Sequence, residues 1–184
     1  GYSAEYGQAL SSVLELKTPG LFDEDITSVS LMNVGVGLGH TERYTNSAYS
    51  AELSYNNMYP YFLMAKSDLD WIEVPENIGA NFYHRQQIGK TGMLKTDATY
   101  SSSSSKLDYS NFENGFDEVG MNTGNLFLKT GYNTELGEKW LLKTGIAYNY
   151  NKDDKDFNSD GLNDRLETVH ARIGLVNYKN ENIT

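Results

Sequence analysis

Along most of this chain, apolar and polar positions alternate with a period of two. In "KWLLKTGIAYNYNKDD", Trp140, Leu142, Thr144, Ile146, Tyr148 and Tyr150 fall on one face, and Leu141, Lys143, Gly145, Ala147 and Asn149 on the other. The first face is apolar with aromatics at both ends; the second is small or polar. Between Trp140 and Tyr150 lie ten steps; at ~3.3 Å each and a tilt of ~45° they rise ~23 Å. A barrel strand crosses an apolar band of ~25 Å, whereas a soluble strand has only about five or six residues. The segment therefore predicts a strand of an all-β, antiparallel transmembrane β-barrel, apolar outward and polar inward.

Neighbouring segments repeat the pattern. "NLFLKTGYNTEL" sets Leu126, Leu128, Thr130 and Tyr132 against Lys129, Gly131 and Asn133, and "LGEKW" after it predicts a tight periplasmic turn. "TGMLKTDATY" sets Leu94, Thr96, Ala98 and Tyr100 against Lys95, Asp97 and Thr99. "ETVHARIGLVNY" sets Val169, Ala171, Ile173 and Leu175 against His170, Arg172 and Gly174. Between the last two strands a long polar loop is expected over residues 151–165, on the outside. "LMNVGVGLGH" reads as one strand with Met32, Val34, Val36 and Leu38 outward and Asn33, Gly35, Gly37 and Gly39 inward. That bare inward face implies something packed closely against it. Residues 58–82 hold Pro60 and Pro75 with no clean period, and predict a long periplasmic connection before a strand at about 80–89.

Composition narrows the options. Hydrophobic residues make up 39% of the 184-residue chain and mean hydropathy is -0.56, and no run approaches the ~18 apolar residues of a membrane helix. That leaves soluble β proteins and membrane β-barrels. A net charge of -10, with no basic patch, argues against a nucleic-acid partner. With no cysteine there is no disulfide and no thiolate metal site. No charged n-region or apolar h-region follows Gly1, so any targeting signal is expected to lie upstream, to have been removed, or never to have existed. The glycines of "GVGLGH" do not make a dinucleotide fingerprint, because His40 stands where the third glycine belongs and no helical period follows.

The first segment is of a different kind. In "GYSAEYGQALSSVLELKTPG" a small-residue stretch leads into a short strand, residues 13–17, and the breaker Pro19-Gly20. "EYGQALSSVLELKT" resembles the end of the plug domain in TonB-dependent outer-membrane receptors of Bacteroidetes, and "RQQIGKTGMLKTDATYS" resembles early barrel segments of the same receptors. The resemblance implies a plug end at residues 1–22 followed by the first six or seven strands of a 22-stranded, plugged barrel over 23–184. It also implies energised uptake of an unidentified ligand, outer-membrane lipid around the wall, and a TonB complex acting through an N-terminal region not in this sequence. The arginine-rich plug ending of the glycan importers is absent, so a lipoprotein lid is not implied. Six or seven strands cannot enclose a plug, and an open edge in lipid is costly. The chain is therefore expected to be a fragment, or a barrel held part-way by other outer-membrane or barrel-assembly proteins.

One loop carries candidate metal chemistry. "DFNSDGLNDRLE" fits the calcium-loop pattern D-x-[DN]-x-[DN]-G-x5-E. Asp156, Asn158, Asp160, Leu162 through its carbonyl, Asp164 and Glu167 would supply oxygens for Ca²⁺. The bland reading is a solvated Asp/Asn/Gly-rich tip. Elsewhere His40, His84 and His170 have no nucleophile or base pattern beside them, so structural roles and no enzymatic activity are expected. Lys95, Lys129, Lys143 and Arg172 share the inward side and could meet an anionic ligand or plug carboxylates, although a hydrated lumen is polar in any case. Trp71 reads as an interface anchor or as packing within its connection. The alternative to a transporter is a soluble extracellular calcium-binding β-sandwich or adhesin module, which would cover the apolar faces with a second sheet.

Overall fold

A computed structural model describes residues 21–65, 69–111, 115–158 and 160–177. The expected plug end, apart from Leu21 and Phe22, and the final "YKNENIT" lie outside the described residues. Eight strands form one antiparallel sheet: β1 (Ile26–Met32), β2 (Gly35–Arg43), β3 (Ser47–Asn57), β4 (Asp70–Ile88), β5 (Gly92–Asn111), β6 (Gly115–Leu136), β7 (Trp140–Phe157) and β8 (Asp160–Asn177). Each strand pairs with the next in chain order, and among the described residues β1 and β8 do not pair with each other. One short helix, α1 (Tyr59–Met64), lies between β3 and β4. The all-β, antiparallel expectation holds, with eight strands instead of six or seven.

The two ends of the sheet differ. Residues 44–46, 89–91 and 137–139 make three-residue turns at one end. Gly89 and Gly137 open two of them with φ of 67° and 69°, a left-handed backbone that glycine adopts without penalty. The opposite end carries the 33–34 turn, the connection through α1, and the long β5–β6 and β7–β8 hairpins.

Four sequence expectations are corrected here. "LMNVGVGLGH" is not one strand: the chain turns at Asn33-Val34, and Leu31 pairs with Val36 and Val29 with Leu38. The phase shifts at the turn: Val29 and Leu31 share the face of Val36 and Leu38, while Met32, expected outward, opposes Gly35 on the other face. The apolar Met32 and Val34 extend the even-numbered pattern and so hide the reversal. β4 starts at Asp70, about ten residues before the expected strand, and tolerates Pro75 because its register against β5 is irregular between Trp71 and Glu76. The connection 58–69 sits at the end opposite the tight turns, not beside them, since the β1–β2 turn reverses the up-down count.

Residues 151–165 are not a loop either. They extend β7 and β8 as a hairpin that turns at Asn158, with Asp156 paired to Gly161 and Lys152 to Arg165. Asn158 closes the tip with φ of 53°, and such left-handed backbone suits asparagine best after glycine. Its backbone N–H donates to the Glu118 carbonyl at 2.9 Å, and its Oδ1 accepts from the Glu118 N–H at 2.9 Å. Its Nδ2 donates to Asp117 Oδ1 at 2.8 Å, so the tip is clipped onto β6.

Candidate functional site

Register assigns every strand residue to one of two faces. One row runs through Thr27, His40, Ala51, Phe82, Ala98, Leu128, Tyr148 and Val169. Rows on either side add Leu53, Ala80 and Leu126, then Ile146, Ala171, Ile173 and Leu175. This apolar face is the open one: Ile173 is 81% exposed, Leu31 79% and Val169 66%. The opposite face is polar and more shielded at its centre, with Arg85 only 2% exposed and Ser50 5%, although Lys129 and Arg172 toward β8 are exposed. A water-soluble sheet hides its apolar side. Here the arrangement is reversed.

The apolar band also crosses the register rows at a slant. Ile78 and Tyr55 begin a row that continues through Ser102, Gly124, Lys152 and Arg165. Glu42 begins another that ends in Ile146 and Ala171. Apolar positions thus slide along the strands from β2 to β8.

On the polar face the glycines of β2 answer to the sheet's own neighbours. A Cβ on Gly39 would stand 2.6 Å from Ser28 Oγ, one on Gly79 2.7 Å from Ser54 Oγ, and one on Gly35 2.6 Å from the Tyr55 carbonyl oxygen. The bare stripe is explained by crowding between β1, β2, β3 and β4, so the close-packed object expected from sequence is not required to account for it.

Deeper on this face Arg85 approaches Asp97 at 2.6 Å, too obliquely for a hydrogen bond, so charge holds the pair. The same Nη1 donates to the His84 carbonyl at 2.9 Å and the Thr96 carbonyl at 3.1 Å. The guanidinium also lies 5.9 Å from the Tyr83 ring centroid. Sequence reasoning missed this pair. Its signal is the turn at residues 89–91, which sets Arg85 opposite Lys95 and one diagonal step from Asp97.

Beyond the apolar band, the hairpins carry alternating charge. Arg165 Nη1 donates to Asp154 Oδ1 at 2.5 Å, and Lys152 Nζ reaches Asp154 Oδ2 at 2.8 Å. These partners, Arg165 first, hold the Asp154 carboxyl below its ordinary range. Lys106 Nζ meets Glu118 at 2.5 Å, which pushes the lysine up. At the α1 end, Phe62 lies against Trp71 of β4 with 5.5 Å between ring centroids, so the tryptophan packs on the helix of the preceding connection.

The six calcium candidates are placed as follows. Asp156 ends β7, Asn158 makes the tip, and Asp160, Leu162, Asp164 and Glu167 run along β8. Glu167 pairs with Tyr150, six residues beyond Gly161, or ~20 Å along the strand. Asp160 to Glu167 are therefore extended, which carries Glu167 away from Asp156 and the tip. Among the described residues no group of three or more His, Asp or Glu gathers as a metal site. His40 accepts or donates with Thr27 at 2.9 Å on the apolar face, where His84 also lies, and His170 belongs to the polar face. No family model matches this chain, and neither a curated protein nor a solved structure matches it.

Proposed function

We propose that these eight strands are part of the wall of an outer-membrane β-barrel transporter of the TonB-dependent type, which imports an unidentified ligand when driven by a TonB complex. The reversed exposure of the two faces carries this reading. Leucine, isoleucine and valine on the open side suit hydrocarbon, and serine, asparagine and charged residues on the shielded side suit a hydrated lumen. Short turns at one end and long polar hairpins at the other match the periplasmic and outer ends of such barrels. The plug-like opening of the sequence supplies the transporter part of the proposal. A soluble β-sandwich would instead place a second sheet over the apolar face.

The test is to express the full-length polypeptide containing these residues and wash its membranes with alkaline carbonate. Retention in the outer-membrane fraction until detergent is added is the expected result, together with ligand uptake that stops when TonB is deleted. Release into the carbonate wash would overturn the barrel reading. Retention without TonB-dependent uptake of any solute would leave a barrel that is not a receptor of this type.

A further inference from the structure

The chain is acidic overall, with a net charge of -10, yet one region of its polar face gathers cations. Register puts Lys95 on β5 in a row with Gly131, Gly145 and Arg172. On one side of that row stands Lys129, followed by Ala147 and His170; on the other stand Asn133, Lys143 and Gly174. Four cations from four adjacent strands thus surround a floor of two glycines. Among the described residues, Asp97, which Arg85 engages at 2.6 Å, and Glu135 toward the turn stand beside these rows.

The floor is open as well as bare. A Cβ on Gly131 or Gly145 would have only backbone atoms within 4 Å, the nearest being carbonyl oxygens at 3.3 and 3.5 Å. Among the described residues no side chain comes within 4 Å of either position, in contrast to Gly35 and Gly39 at the other side of the sheet. Lys129 and Arg172 are exposed. From Lys95 to Arg172 the row spans three strand intervals, about 14 Å. That is wide enough for a phosphate or a small polycarboxylate to meet side chains from both ends. Lysine supplies compact charge and arginine a planar fork, and both recognise such anions.

We propose that this cradle binds an anionic group, phosphate or carboxylate, of the transported ligand. The inference rests on the barrel reading, which makes this face the lumen. The full-length polypeptide in lipid vesicles, titrated calorimetrically with inorganic pyrophosphate, tests it. Saturable binding is expected, weakened about tenfold or more by Lys129→Glu and by Arg172→Glu, less by Lys129→Gln, and unchanged by Lys155→Glu on the distant hairpin. Absence of binding, or binding indifferent to Lys129→Glu, overturns the cradle. If wild type ignores pyrophosphate while Lys129→Glu lowers the unfolding temperature, carboxylates of the polypeptide itself fill the site and the ligand proposal falls. A polypeptide that does not float with the vesicles fails the barrel reading instead, before any titration.

Discussion

Arg85 sits on the polar face between Ala48 and Lys95, with its guanidinium shared between Asp97 and two backbone carbonyls. Removing one partner of a shielded pair leaves the other charge uncompensated. Asp97→Asn should therefore destabilise the sheet by about 3 kcal/mol, and Arg85→Lys should not substitute, because an ammonium cannot span the same acceptors. Urea unfolding of the reconstituted protein reads both; a loss within error of zero for Asp97→Asn would show the pair to be solvated. The glycines allow a sharper contrast. Gly35→Ala would drive a Cβ to 2.6 Å from a backbone carbonyl that cannot rotate away, whereas Gly37→Ala meets Ser30 Cβ at 3.4 Å. Overpacking of the first kind costs about 1–3 kcal/mol, and Gly37→Ala should cost clearly less. Equal effects in the same unfolding experiment would refute the crowding explanation.

The β7–β8 hairpin marks where sequence reading stops. Face assignment in β6, β7 and β8 was legible over the apolar band, because a period of two with bulky residues on one side admits one register. Past Tyr150 the residues are Asn, Lys and Asp on both faces, so no hydrophobic pattern distinguishes strand from loop. What makes this stretch a hairpin is non-local: Arg165 opposite Lys152, both sharing Asp154, and Asn158 bonded to β6. The Asn33-Val34 turn was hidden for the opposite reason, since apolar residues keep an unbroken period of two across it, and the true start of β4 by Pro75 and the register shifts before Glu76. The charged tip gives a pH prediction with a definite sign. Because Arg165 and Lys152 depress the Asp154 carboxyl, its stabilising contribution is complete above the unfolded aspartate range near ~4 and is lost as pH falls through the depressed value. Amide hydrogen exchange at the β7–β8 tip should accelerate on acidification below that range, and Asp154→Asn should remove the dependence. A tip whose exchange, corrected for intrinsic rates, is flat in acid would show the ion pairs to be idle.

At the scale of the whole sheet, the slanted band contains an angle. The upper edge of the apolar positions lies at Ile78 on β4 and at Val169 on β8, and the register row of Val169 reaches β4 at Phe82. Over four strand steps the edge has therefore slipped four residues, an average of one per strand. With ~3.3 Å per residue and ~4.8 Å between strands, a level band requires the strands to lean by about 35°. Closed barrels need a stagger of this kind, with tilts of about 35–45°. The same lean turns the ten steps between Trp140 and Tyr150 into a height of about 27 Å, close to the apolar thickness a barrel presents. On the barrel reading, register and the placing of apolar residues describe one geometry, a level band crossed by leaning strands. Polarised infrared spectroscopy of the full-length protein in oriented bilayers should return a mean strand tilt of about 35° from the membrane normal. Strands lying flat on the bilayer, or with no preferred orientation, would mean that the slant belongs to a packed soluble sheet and that the barrel reading is wrong.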